Sequence, residues 1–66
     1  MHYTIVQGSQ GWLIVYYTKD KKGKRVVFEV SDWYPPTTDR QVMVDAASAR
    51  LKALVLAANN VGGHFP

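Results

Sequence analysis

The chain changes hydrophobic period halfway along. From His2 to Gln7 it is rich in β-branched and aromatic residues, and Gly8-Ser9-Gln10-Gly11 closes that run with a tight-turn cluster. A second run of the same character follows from Trp12 to Thr18, and a third, Val26-Val27-Phe28-Glu29-Val30, lies beyond a charged loop. In that loop Asp20-Lys21-Lys22-Gly23 puts Asp at the first turn position and Gly where a left-handed residue is wanted, the pattern of a type I turn with a Gly bulge. These runs predict three antiparallel strands, over residues 2–7, 12–18 and 25–31, in the spatial order 1-2-3.

Pro35-Pro36 ends the sheet, because proline cannot donate to a strand ladder. Thr38-Asp39-Arg40-Gln41 then has the Thr-x-x-Gln form of a capping box, and the residues from Asp39 to Asn60 are mostly strong helix formers. Asn59-Asn60 and Gly62-Gly63 supply the stop, leaving His64-Phe65-Pro66 as a tail. A helix over 39–60 would be about 33 Å long and would outreach the strands. The expected architecture is α+β: a three-stranded meander followed by one long C-terminal helix packed on one face, a single domain over residues 1–66.

Register decides which residues face that helix, since a slip of one position exchanges the two faces of a strand. Pairing Gln7 with Trp12 sets Ile5 opposite Ile14 and Tyr3 opposite Tyr16. Pairing Asp20 with Lys24 sets Tyr16 opposite Phe28 and Ile14 opposite Val30. The expected core face is then Tyr3, Ile5, Trp12, Ile14, Tyr16, Val26, Phe28 and Val30. The other face, with Val6, Leu13, Val15, Tyr17 and Val27 beside His2, Thr4 and Glu29, is less polar than a solvated antiparallel face should be.

The helix repeats this imbalance. Met43, Val44, Ala47, Leu51, Leu54, Val55 and Ala58 fall on one broad stripe suited to packing on a sheet, while Gln41, Asp45, Ser48, Lys52 and Asn59 make only a narrow polar arc. Between them runs a second stripe of Val42, Ala46, Ala49, Ala53, Leu56 and Ala57, with Arg50 at its margin. Small residues there either admit a partner helix or reflect the helix propensity of alanine alone. Leu56 pulls toward a partner.

Composition sharpens the point. A chain of 66 residues buries only about 60% of its unfolded surface, so small domains of this size often carry a disulfide or a structural metal. With no cysteine and only His2 and His64, neither a disulfide nor a Cys/His zinc site can be built, and no cofactor is expected. Apolar residues at 47% and aromatics at 12% are instead surface to be covered. The two incompletely polar faces predict self-association, most simply a two-fold homodimer, through Val6, Leu13, Val15, Tyr17, Val27, Ala46, Ala49, Ala53 and Leu56. A different protein partner is the other possible occupant of these faces. No apolar run approaches the roughly 20 residues of a membrane span, and no secretory leader is visible, so the cytoplasm is the default expectation.

The chemistry-bearing residues do not suggest an enzyme. The histidines lie at the two ends, where they are more often solvated bystanders than general bases, and the five acids Asp20, Glu29, Asp32, Asp39 and Asp45 are scattered. Gly8-Ser9-Gln10-Gly11 joins two strands and lacks the Gly-Lys-Ser/Thr ending of a phosphate loop. The net charge of +3 is concentrated in one hairpin, where Lys19, Lys21, Lys22, Lys24 and Arg25 make up five of the eight basic residues. A basic two-stranded ribbon can grip nucleic-acid phosphates, which gives a second, less favoured reading, although lysines at a hairpin tip also serve solubility. Trp33 and Tyr34 are candidate exposed aromatics for stacking; the preferred reading has them plugging the corner between sheet and helix.

The hairpin with its Lys-Gly-Lys-Arg tip, followed by an Ala-rich helix, resembles the small three-stranded arm-binding domains at the start of tyrosine recombinases. That resemblance is one of shape and charge from Trp12 to about Leu56, without the downstream catalytic domain. The strand-strand-helix order with Asp45-Ala46-Ala47-Ser48-Ala49 resembles the later half of a double-stranded-RNA-binding domain, without the leading helix or the basic start of the closing helix. No family is assigned from either.

Overall fold

A computed structural model describes residues 1–63, with side chains through residue 57. Strands β1 (His2–Gly8), β2 (Gly11–Lys19) and β3 (Arg25–Val30) form one antiparallel sheet in the order β1-β2-β3, and helix α1 (Arg40–Gly63) follows. This is the expected βββα arrangement. The tail His64-Phe65-Pro66, including the His64 considered above, lies outside the described residues.

The β1-β2 register is the one the turn cluster dictates: Tyr3 opposes Tyr16, Ile5 opposes Ile14 and Gln7 opposes Trp12. Gly11 makes this turn possible. Its φ of +131° lies outside the range L side chains normally adopt, and a Cβ on it would sit 1.9 Å from the Tyr34 carbonyl oxygen.

The β2-β3 register starts as expected and then shifts. Lys19 opposes Arg25 and Tyr17 opposes Val27, but Tyr16 opposes Glu29 and Val15 opposes Val30, because a bulge opens between Tyr16 and Tyr17 and leaves Phe28 as the extra residue on β3. The expected pairs Tyr16 with Phe28 and Ile14 with Val30 are therefore corrected. Glu29 moves onto the helix side and Val30 onto the other. Past the strand, Ser31 takes over the ladder: its N–H donates to the Ile14 carbonyl (2.9 Å), and its hydroxyl accepts the Ile14 N–H (2.9 Å) and donates to the Asp32 carbonyl (2.9 Å). The irregularity thus leaves no orphaned amide at Ile14.

The core is narrower than expected. Ile14, Tyr16, Met43, Ala47 and Leu54 are buried together, with Tyr3, Ile5, Trp12, Tyr34 and Leu51 packed around them. The helix backbone lies across β1 and β2, and it meets β3 through the Arg50 side chain, which reaches Glu29. Val26, Phe28 and Val30, expected in the core, are 50%, 58% and 50% exposed. On the helix, Val55 is exposed rather than buried, and Ala46, expected on the outer stripe, packs against the core.

The helix start is one residue later than the capping box implied. Asp39 is the cap: its carboxylate accepts the Gln41 N–H (3.2 Å) and its carbonyl accepts the Val42 N–H (3.1 Å). Thr38 is committed elsewhere, its N–H donating to the Pro35 carbonyl (2.9 Å) in the preceding turn. Gln41 consequently reaches forward, its amide donating to the Asp45 carboxylate (2.8 Å). No helix among the described residues is long and apolar enough to cross a membrane.

Candidate interaction surfaces

The β2-β3 hairpin is built around one carboxylate. Asp20 accepts the N–H groups of Lys22 and Lys24 at its Oδ1 (2.9 Å each) and the Gly23 N–H at its carbonyl (3.0 Å), while its own N–H donates to the Lys24 carbonyl (2.9 Å). Gly23 takes φ +81°, the left-handed residue of the expected turn. With Asp20 occupied by the backbone, Lys19, Lys21, Lys22, Lys24 and Arg25 are all exposed, and none is paired with a carboxylate among the described residues. β1 pairs with β2 only as far as His2 opposite Tyr17, so Thr18 onward projects as a two-stranded ribbon.

At the root of that ribbon, on the face away from the helix, three side chains are layered. The Arg25 guanidinium lies 4.6 Å from the centre of the Tyr17 ring, and the His2 ring stacks on Tyr17 at 5.4 Å with an interplanar angle of 29°. Tyr17, a candidate interface residue, is buried by its own chain in this stack. This arrangement was not anticipated from the sequence, though the register that brings Arg25 opposite Lys19 makes it a diagonal neighbour of Tyr17.

The rest of this open face carries no charge. Leu13 and Val15 are half-buried on β2, between exposed Val6 on β1 and exposed Val27 and Val30 on β3. Trp33 extends the patch at the end remote from the hairpin. Gly8 shares the strand parity of Val6, and a Cβ on it would meet the Trp33 indole at 2.7 Å, so the ring lies over bare backbone there. Trp33 is 44% exposed. Tyr34 turns the other way and does plug the corner: its backbone exchanges hydrogen bonds with Trp12 (2.9 and 2.8 Å) and its side chain packs on the core. Tyr34 thus faces the core, while Trp33 lies over Gly8 at the end of the sheet and also borders the cleft on the helix side.

The helix side holds a cleft of about 460 Å³ between Tyr16, Tyr34, Asp32 and the Glu29-Arg50 pair. Glu29, placed there by the bulge, accepts two hydrogen bonds from the Arg50 guanidinium, 2.7 Å from Nε and 2.6 Å from Nη2. Those hydrogen bonds, helped by the guanidinium charge, hold the Glu29 carboxyl below its ordinary value, and Arg50 is correspondingly held protonated. Burial, reinforced by Tyr34 and Glu29, pushes the Tyr16 hydroxyl up. The cleft therefore presents a neutral phenol and an ion pair already satisfied within the chain.

On the outside of the helix, Leu51, Val55 and Leu56 line a shallow groove of about 330 Å³ that also includes Ser48 and Lys52. Ala49 and Ala53 are exposed, as the outer-stripe reading expects. Comparison with family models, with curated proteins and with solved structures finds no match for the chain.

Proposed function

We propose that the protein is a non-catalytic binding module that works as a homodimer, joining copies through the apolar surfaces of its sheet and helix, with the cytoplasm as its compartment. The observation carrying this reading is a sheet covered on one side only, with Val6, Val27, Val30 and Trp33 exposed on the other. Such a patch on a small chain without staples is surface for a partner. Four of the five carboxylates support a binding rather than a catalytic role, because Asp20, Glu29, Asp39 and Asp45 are each engaged in a turn, an ion pair, a helix cap or a helical side-chain pair. Sedimentation velocity from low to high micromolar concentration tests the proposal. A dimer is expected; a stable monomer at high micromolar concentration overturns it.

A second reading, nucleic-acid binding by the hairpin, is favoured by the projecting ribbon with five exposed cations that pair with no carboxylate among the described residues. A mobility-shift assay across salt concentrations tests it. Phosphate binding weakens steeply with salt and is lost in the Lys21→Glu/Lys22→Glu/Lys24→Glu variant. Absence of binding at low salt removes this reading.

A further inference from the structure

Resting on the homodimer reading, we infer that the open sheet face itself is the dimer interface, and that two copies stack there as a six-stranded sandwich with the helices outside and the basic hairpins at opposite ends. The occupant is a second copy of this chain because the face is complementary to itself.

Of the two apolar surfaces, the helix groove includes Lys52 and Ser48, whereas the strip formed by Val6, Leu13, Val15, Val27 and Val30 is free of charge. Short, mostly β-branched side chains suit the roughly 10 Å separation of packed sheets. Charge then selects the orientation. Each hairpin carries five cations against the single carboxylate of Asp20. A two-fold axis running along the strands would set the two hairpins side by side and repel them. An axis crossing the strands in the plane of the face sends them to opposite ends. The same operation brings Trp33 of each copy to the Arg25 and Lys19 end of the other, where a cation can meet the exposed face of an indole. The apolar strips overlap at the centre, near Val15 in the middle of β2.

Sedimentation velocity on the full chain and three groups of variants tests this arrangement. Val30 is 50% exposed, so Val30→Asp should leave the far-UV circular dichroism unchanged, and Val6→Lys on the opposite edge strand provides an independent check. Each variant is expected to weaken dimerisation by about 100-fold, the scale of leaving a charge unpaired at the centre of an interface, while Leu56→Asp has little effect. With a short bis-maleimide that spans the roughly 10 Å between packed sheets, Val15→Cys is expected to cross-link to itself and Lys22→Cys to remain uncross-linked. A monomeric wild type overturns both this inference and the homodimer reading. A dimer that tolerates Val30→Asp and Val6→Lys but is lost in Leu56→Asp overturns the sheet interface alone. Efficient Lys22→Cys cross-linking overturns the opposed orientation.

Discussion

Gly11 and Gly23 both take positive φ, yet they make different demands on the chain. A side chain at Gly23 would meet nothing within 4 Å, so Gly23→Ala bears only the conformational penalty, about 1 kcal/mol. Gly11→Ala adds a collision with the Tyr34 carbonyl to a less accessible φ, and its expected cost exceeds about 2 kcal/mol. Urea unfolding of the two variants should separate them clearly. The Glu29-Arg50 pair makes a pH prediction. Arg50 depresses the carboxyl pKa of Glu29 in the folded state. The stabilisation is therefore fully present above the unfolded value, near 4.5, and is lost as pH falls through the lower folded value. Glu29→Gln should be less stable than wild type at neutral pH, with the gap in urea midpoints closing as the pH falls below 4.5. Both side chains are largely solvated, so the gap should be small and should shrink with added salt.

At the scale of elements, adjacent helix residues have opposite fates. Met43 is buried against Ile14 and Tyr16 while Val42 faces outward. Met43→Ala should cost about 2–5 kcal/mol and Val42→Ala less than about 0.5 kcal/mol, measured by chemical denaturation at a concentration where both variants are monomeric. The strands, the helix and the β1-β2 register were legible because turn chemistry counts residues unambiguously: Gly8 and Gly11 bracket one hairpin, and Asp20 and Gly23 shape the other. The β3 bulge was not. Arg25-Val26-Val27-Phe28-Glu29-Val30 is apolar at both parities, so nothing local tells whether Phe28 or Glu29 faces the helix. The partner that decides it, Arg50, lies 21 residues away in sequence. Hairpin lysines could be read as a site from charge alone. The layering of Arg25 on Tyr17 and His2 could not, since it depends on the side-chain conformer chosen among register neighbours.

The whole molecule is extended for its size. Its radius of gyration is 13.6 Å, against roughly 11 Å for a globule of this length, and its principal extents are 46 × 25 × 15 Å. A long helix on a small sheet leaves much of both exposed, and no further element among the described residues covers them. If association completes the fold, unfolding is coupled to dissociation and the melting temperature depends on concentration. A tenfold rise in protein concentration should raise it by about 5 °C, given the roughly 0.7 kcal/mol per residue of unfolding enthalpy. Scanning calorimetry at several concentrations measures the shift, and a constant melting temperature would mean that the monomer folds unaided.

The bulge at Phe28 also bears on solubility. β3 is an edge strand of exposed apolar residues, the kind of border on which further strands add without limit to make fibrils. An extra residue interrupts the even spacing of donors and acceptors along that border and twists it away from a flat template. Deleting Phe28 should restore a regular edge, and the variant is expected to form thioflavin-positive aggregates where the wild type stays in solution. One residue out of register thus steers association away from open-ended growth.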